Sequence, residues 1–288
     1  MKLTHGYYHL IAILTVAIWG LTFIATKVLI NHGLTPQEIR FLIAYIGIWA
    51  ISPKHLFADN LKDELWLVAG GVFGGSLYFF TENTALGITQ ASNVAFIICT
   101  APLLTTILSL LFYKSEKATK GLIYGSLLAL IGVGLVVFNG SVVLKLSPVG
   151  DLLTLLAALS WAFYSLVIKR MTGRYPTVFI TRKIFFYGVL TILPAFLLHP
   201  LQPDFDVLLQ PLVLSNLLFL AVLASLICYI LWNVVLKQLG TMRASNYIYL
   251  NPLVTMVASV LILHEQITWI TLMGAACIIL GVYLAEKK

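Results

Sequence analysis

Leu86-Gly87-Ile88-Thr89-Gln90-Ala91-Ser92-Asn93 returns as Leu239-Gly240-Thr241-Met242-Arg243-Ala244-Ser245-Asn246, the same Leu-Gly and Ala-Ser-Asn pieces with the same gap between them. Both copies lie between long apolar stretches. Working outward, Trp19 and Lys27 match Trp161 and Lys169, while Thr119, Gly125 and Gly132 match Thr268, Gly274 and Gly281. The chain therefore reads as one unit written twice, residues 1–140 and residues 148–288. A duplicated apolar chain predicts a membrane transporter whose site lies where the two halves meet.

Composition supports a bilayer. Hydrophobic residues make up 60% of the chain and charged residues 10%, and the mean hydropathy is +0.98. Soluble domains carry roughly a quarter charged residues. A helix needs about 20 apolar residues to cross the hydrocarbon core, and ten stretches suggest themselves: 9–28, 38–57, 65–86, 91–113, 119–138, 150–170, 177–198, 213–236, 241–263 and 267–285. The second is the weakest, and Pro102 and Pro252 predict kinks in the fourth and ninth. The first reads as a retained span, since no small-residue cleavage site follows it.

Cations accumulate in short cytoplasmic loops. With both termini cytoplasmic, the inner segments hold Lys54, Lys62, Lys114, Lys117, Lys169, Arg170, Arg174, Lys237 and Arg243, and the outer loops hold only Lys145. The net charge of +7 is thus a topology signal and excludes a nucleic-acid footprint. Five spans per half is an odd number, so the second half enters from the opposite side and the repeats are inverted. The predicted fold is an all-α integral membrane protein of ten transmembrane helices in two inverted five-helix repeats.

Polar groups inside a bilayer mark cavities or partners. Glu82, near the outer end of span three, could bind a substrate ammonium or exchange a proton, or it could pair with Arg40 or Lys27 at the same level; these roles can coexist in a gate. Lys27 and Lys169 are symmetry mates at helix ends, either gating or snorkelling. Trp19, Thr22 and Phe23 share a face of span one, as do Trp161, Tyr164 and Ser165 of span six, and aromatics beside hydroxyls suit either a cavity for a partly apolar solute or a packed core. Tyr78, Asn83, Phe96, Tyr229, Trp232, Tyr249 and Asn251 complete the candidate substrate-binding set. Asn93 and Asn246 open spans four and nine, where each can cap its helix or bond to a neighbour. Glu116 and Glu265 read as solvated helix-end charges. Glycines at 70, 71, 74 and 75, and those of spans five and ten, predict close helix contact, a scaffold or a dimer face.

Trp19-Gly20, Tyr78 with Ala85-Leu86, the paired Leu-Gly and Ala-Ser-Asn segments, Pro102-Leu103 with Glu116, and Asn251-Pro252-Leu253 with Glu265 together resemble the drug/metabolite transporter superfamily, specifically its EamA family. The resemblance spans nearly the whole chain. It implies two inverted repeats, a central cavity lined from spans one, three, four, six, eight and nine, and export of small metabolites such as amino acids or related amphipathic solutes. Glu82 and Arg182-Lys183 depart from that pattern.

The reading is a secondary transporter of the cytoplasmic membrane working by alternating access. Its partners are a small-molecule substrate, the lipid bilayer and a proton or other coupling ion, and it is a monomer or homodimer. A passive channel or facilitator is the first alternative and a membrane-embedded enzyme the second. Cys99, Cys228 and Cys277 have no pairing or metal-ligand spacing, no HExxH is present, and the Gly-rich stretches lack a phosphate-loop lysine, so no metal, cofactor or catalytic residue is expected.

Overall fold

A backbone immersed in hydrocarbon has to satisfy its own N–H and C=O groups, and helix does this within a single segment. The computed structural model describes residues 5–34, 36–51, 56–89, 91–113, 117–138, 147–198, 205–263 and 268–286, and among them every regular element is helical. Glu116, Lys145 and Glu265 lie outside the described residues.

The first half runs through α1 (His5–Asn31), α2 (Pro36–Ile51), α3 (Leu61–Gly71), α4 (Leu77–Ile88), α5 (Ala91–Ile98), α6 (Ala101–Phe112) and α7 (Lys120–Phe138). The second runs through α8 (Pro148–Met171), α9 (Thr177–Leu198), the short α10 (Phe205–Leu208), α11 (Pro211–Leu218), α12 (Cys228–Leu239), α13 (Thr241–Asn246), α14 (Asn251–Leu263) and α15 (Trp269–Glu286). Among the described residues, seven helical stretches are long and apolar enough to cross a membrane, and Arg40–Ile51 is apolar but shorter. The fold is thus a multi-helix membrane bundle. The stretch through α3 and α4 falls outside the seven; it carries Lys62, Asp63, Glu64 and Glu82.

Two equivalent helices are locally underwound. α3 joins α4 through a π-helical segment, Val72–Ser76, and α11 joins α12 through another, Phe219–Ile227. A π segment displaces carbonyls from the regular ladder, and the opposing elements use them. Ser160 donates to the Phe73 carbonyl at 2.8 Å, Tyr229 to that of Gly74 at 2.8 Å, and the Trp19 indole to that of Ala224 at 2.9 Å.

Prolines set the two joints in spans four and nine. Proline lacks an N–H and its ring clashes with the carbonyl four residues back. Pro102 stands at the start of α6 just after the turn at Cys99-Thr100, and Pro252 at the start of α14 just after the 3₁₀ turn Tyr247–Leu250. The residues four back are Ile98 and Ile248.

The repeated Leu-Gly piece is used in two ways. Gly240 takes a φ of +82° and ends α12, a conformation open to glycine at little cost. Gly87 stays inside α4.

α7 and α15 form the most extensive helix–helix contact among the described elements. A methyl at Gly132 would lie 2.6 Å from the Gly274 carbonyl, and one at Gly281 would meet the Gly125 carbonyl as closely. Bare backbones meeting this way maximise dispersion contact. These glycines are therefore spent between the two halves of one chain, and not on a dimer face.

A central cavity and its two ends

The α1–α2 and α4–α5 junctions mark one end of the bundle. At the opposite end, the halves are tied by charge. Asn60 caps α3, accepting from the Asp63 N–H at 2.9 Å, and the acidic first turn suits the positive helix terminus. Asp63 then takes Arg174 at 2.7 and 3.0 Å and the Tyr175 hydroxyl at 3.0 Å. The Arg174 hydrogen bonds hold its carboxyl below the usual aspartate range. One residue on, Glu64 meets Lys183 and the Tyr187 hydroxyl, while Lys183 also donates to the Leu56 carbonyl at 3.1 Å. This gives Lys183 a structural use.

Toward the first end lies an open cavity, about 650 Å³ when the solvent in its mouth is counted. Trp19, Thr22 and Thr26 of α1 line it, with Arg40 of α2 and Tyr78, Phe79, Glu82 and Leu86 of α4. Ile98 and Ala101 face it from the first joint, Ile248 and Asn251 from the second, and Trp161 and Tyr229 from α8 and α12. Both proline joints thus border the cavity.

Its chemistry is a carboxylate and a guanidinium set in aromatic walls. Glu82, 8% exposed, accepts from the Tyr78 hydroxyl at 2.9 Å. Arg40, 4% exposed, donates to Ser225 Oγ at 3.1 Å and lies 4.1 Å over the Phe79 ring, a cation–π seat. Trp19 meets Trp161 edge to face at 5.3 Å, and Tyr78 and Tyr229 lie 5.2 and 5.8 Å from Trp161. Two polar atoms on this wall have no partner, the Trp161 indole N–H and Asn251 Oδ1.

Of the residues singled out from sequence, Trp19, Thr22, Arg40, Tyr78, Glu82, Trp161, Tyr229 and Asn251 thus come together. The side chains of Phe23 and Lys27 lie outside the described ones. Several others lie away from the cavity. Tyr164 is fully buried and donates to Asn233 at 2.7 Å, and Asn233 in turn donates to Thr181 at 2.8 Å. Ser165 turns back onto the Trp161 carbonyl at 3.0 Å. Phe96 packs on Phe138, 5.1 Å between ring centres, and so faces α7. Trp232 is buried 5.1 Å from Trp19, and Asn83 and Tyr249 are buried off the cavity lining. Lys169 sits 4.3 Å over the Tyr113 ring, at the charged end. Asn246 closes α13, and instead of capping it accepts from Ser126 of α7 at 2.8 Å.

Sequence reasoning missed Thr26, Phe79, Leu86, Ile98, Ala101 and Ile248. Ile98 and Ile248 had a signal: each precedes a mid-span proline by four residues.

A multi-helix membrane bundle holding a cavity with aromatic walls and two opposite charges suits a small-molecule transporter. The chain belongs to the EamA-like transporter family, whose model matches residues 6–138 and again 148–286. It is therefore a multi-pass membrane protein of the drug/metabolite transporter type, and not an enzyme. A Salmonella typhimurium protein named a probable amino-acid metabolite efflux pump is 28% identical, over 95% of this chain and 93% of that one. An uncharacterized transporter of Archaeoglobus fulgidus is 28% identical over 97% of both chains, and the Bacillus subtilis uncharacterized transporter YyaM is 30% identical over 81% and 75%. A solved chain described only as a protein crystal structure superposes with a TM-score of 0.73 at 18% identity, covering 98% and 97%, a likeness of fold alone.

Proposed function

We propose that this protein is a secondary transporter that exports small amphipathic solutes, amino acids or close relatives, across the cytoplasmic membrane by alternating access. The observation that carries the reading is that Glu82 and Arg40 line the same cavity as Trp19, Trp161, Tyr78 and Tyr229. A carboxylate suits an ammonium group, a guanidinium suits a carboxylate, and the aromatic faces suit an apolar side chain. The name of the Salmonella relative supports the same solute class.

The proposal includes ten spans in two inverted repeats, residues 1–140 and 148–288, with both termini cytoplasmic. The concentration of Lys and Arg at the Asp63–Arg174 end supports an inward orientation of that end. The cavity then faces outward in this structure, and the ion-paired end is closed. Export is driven by a proton or another ion gradient, with Glu82 as the coupling group.

Thermal-shift screening of an amino-acid and metabolite panel identifies the solute, because a ligand of the folded state raises its stability by mass action. Uptake of the hit into proteoliposomes then tests coupling: Glu82→Gln removes the pH-dependent component. Unchanged pH dependence takes Glu82 out of that role.

A further inference from the structure

Below the cavity its two walls continue as stripes of buried hydroxyls. Ala101 lines the cavity from the first turn of α6; the same helix face carries Thr105 one turn on and Ser109 two turns on. Ile248 lines it from the other half, and the preceding turns carry Ser245 and Thr241. α6 packs on α13. All four hydroxyl side chains are 2% exposed or less, and none of the four oxygens has a hydrogen-bond partner.

Most other buried hydroxyls among the described residues are paired, with Thr15, Thr89 and Tyr249 as exceptions. Thr106, Thr154 and Thr181 turn back onto the carbonyl four residues earlier at 2.7–3.0 Å, the usual solution inside a membrane helix. The tight α7–α15 contact is made instead by Gly125, Ala129 and Gly132 against Gly274, Ile278 and Gly281, with no hydroxyl among them. A buried hydroxyl left unpaired is costly, so a stripe of them on each cavity wall needs a state in which it is wet.

We infer that Thr105, Ser109, Thr241 and Ser245 line the other half of the solute's route. They are packed and buried in this structure, and they part and hydrate when the cavity closes at its present mouth. The inference rests on the transport reading and adds to it the lining of the opposite vestibule. Apart from these hydroxyls, the route runs toward the end where Asp63 holds Arg174 and Glu64 holds Lys183, so those pairs release as it opens.

The test uses full-length protein in sealed proteoliposomes, with Cys99, Cys228 and Cys277 replaced by Ala, and a membrane-impermeant cationic methanethiosulfonate added to either side. Single-cysteine variants Ser109→Cys and Ser245→Cys, on different helices, are compared with Thr22→Cys in the cavity and with Ala129→Cys in the α7–α15 contact. Both serine-site variants are expected to react from the side opposite to Thr22→Cys. Their rates should fall below that of Thr22→Cys by about ten- to a thousandfold, the reciprocal of a minor-state population of roughly 0.1–10%. Reaction no faster than at Ala129→Cys, or from the same side as Thr22→Cys, overturns the inference. An unreactive Thr22→Cys counts instead against the cavity as a solute site.

Discussion

Trp19 and Trp161 occupy equivalent places in the two halves and meet edge to face at 5.3 Å, yet their indole N–H groups differ: Trp19 donates to the Ala224 carbonyl at 2.9 Å, and Trp161, 6% exposed, has no partner. On the proposed alternating-access reading, such a difference marks which way the molecule faces, because inverted halves would exchange conformations when the site turns over. The unpartnered donor sits on the cavity wall, where a solute acceptor can reach it.

Replacing each tryptophan by Phe separates these two roles. Trp19→Phe leaves the displaced Ala224 carbonyl unpaired and should lower stability by ~1–3 kcal/mol. Trp161→Phe removes a donor that is already unpaired, so stability should hold while solute affinity falls. Thermal unfolding and a ligand-induced thermal shift, run on both variants, check this; equal destabilisation would contradict it.

Arg40 should set which solutes are accepted. Arg40→Gln is expected to weaken binding of solutes carrying a carboxylate and to spare the corresponding amines, with Glu82→Gln showing the reverse preference. Charge-assisted hydrogen bonds of this kind contribute ~1.5–3 kcal/mol, roughly ten- to a hundredfold in affinity. Binding assays with an amino acid and its decarboxylated amine distinguish the two variants.

The α7–α15 pair tolerates no side chain at its glycines. Gly132→Leu should destabilise the folded protein by about 1–3 kcal/mol or more through overpacking against the Gly274 backbone. Because these helices lie away from the cavity, whatever variant survives should keep its solute affinity. Thermal unfolding in detergent with a binding assay on the folded fraction measures both.

Asp63 gives a pH signature at the closed end. Its folded carboxyl lies below the usual value because Arg174 hydrogen-bonds it. The stabilisation it provides is therefore complete above the unfolded aspartate value of about 3.9 and is lost as pH falls through the lower folded value. Asp63→Asn should lower the Tm at neutral pH, and the gap to the unmodified protein should close as pH drops below about 3.9.

The duplicated Leu-Gly and Ala-Ser-Asn segments and the apolar runs made the helical membrane class legible in the sequence, and Trp19, Trp161, Glu82 and Asn251 led to the cavity. What stayed hidden was facing. Phe96 is as aromatic as Tyr78, but α5 turns it toward Phe138, a choice made by packing between helices and not by spacing along one. Tyr164 and Trp232 belong to the floor beneath the cavity for the same reason. The π segments at Val72–Ser76 and Phe219–Ile227 have no sequence signature beyond small residues, and they set the register of Gly74 against Tyr229.

The most direct test is counterflow of an aromatic amino acid in proteoliposomes, with Glu82→Gln alongside the unmodified protein. The account predicts saturable uptake stimulated by unlabelled solute on the far side, with its half-saturation raised roughly ten- to a hundredfold in the variant. Linear, unsaturable flux that is indifferent to Glu82 would contradict it.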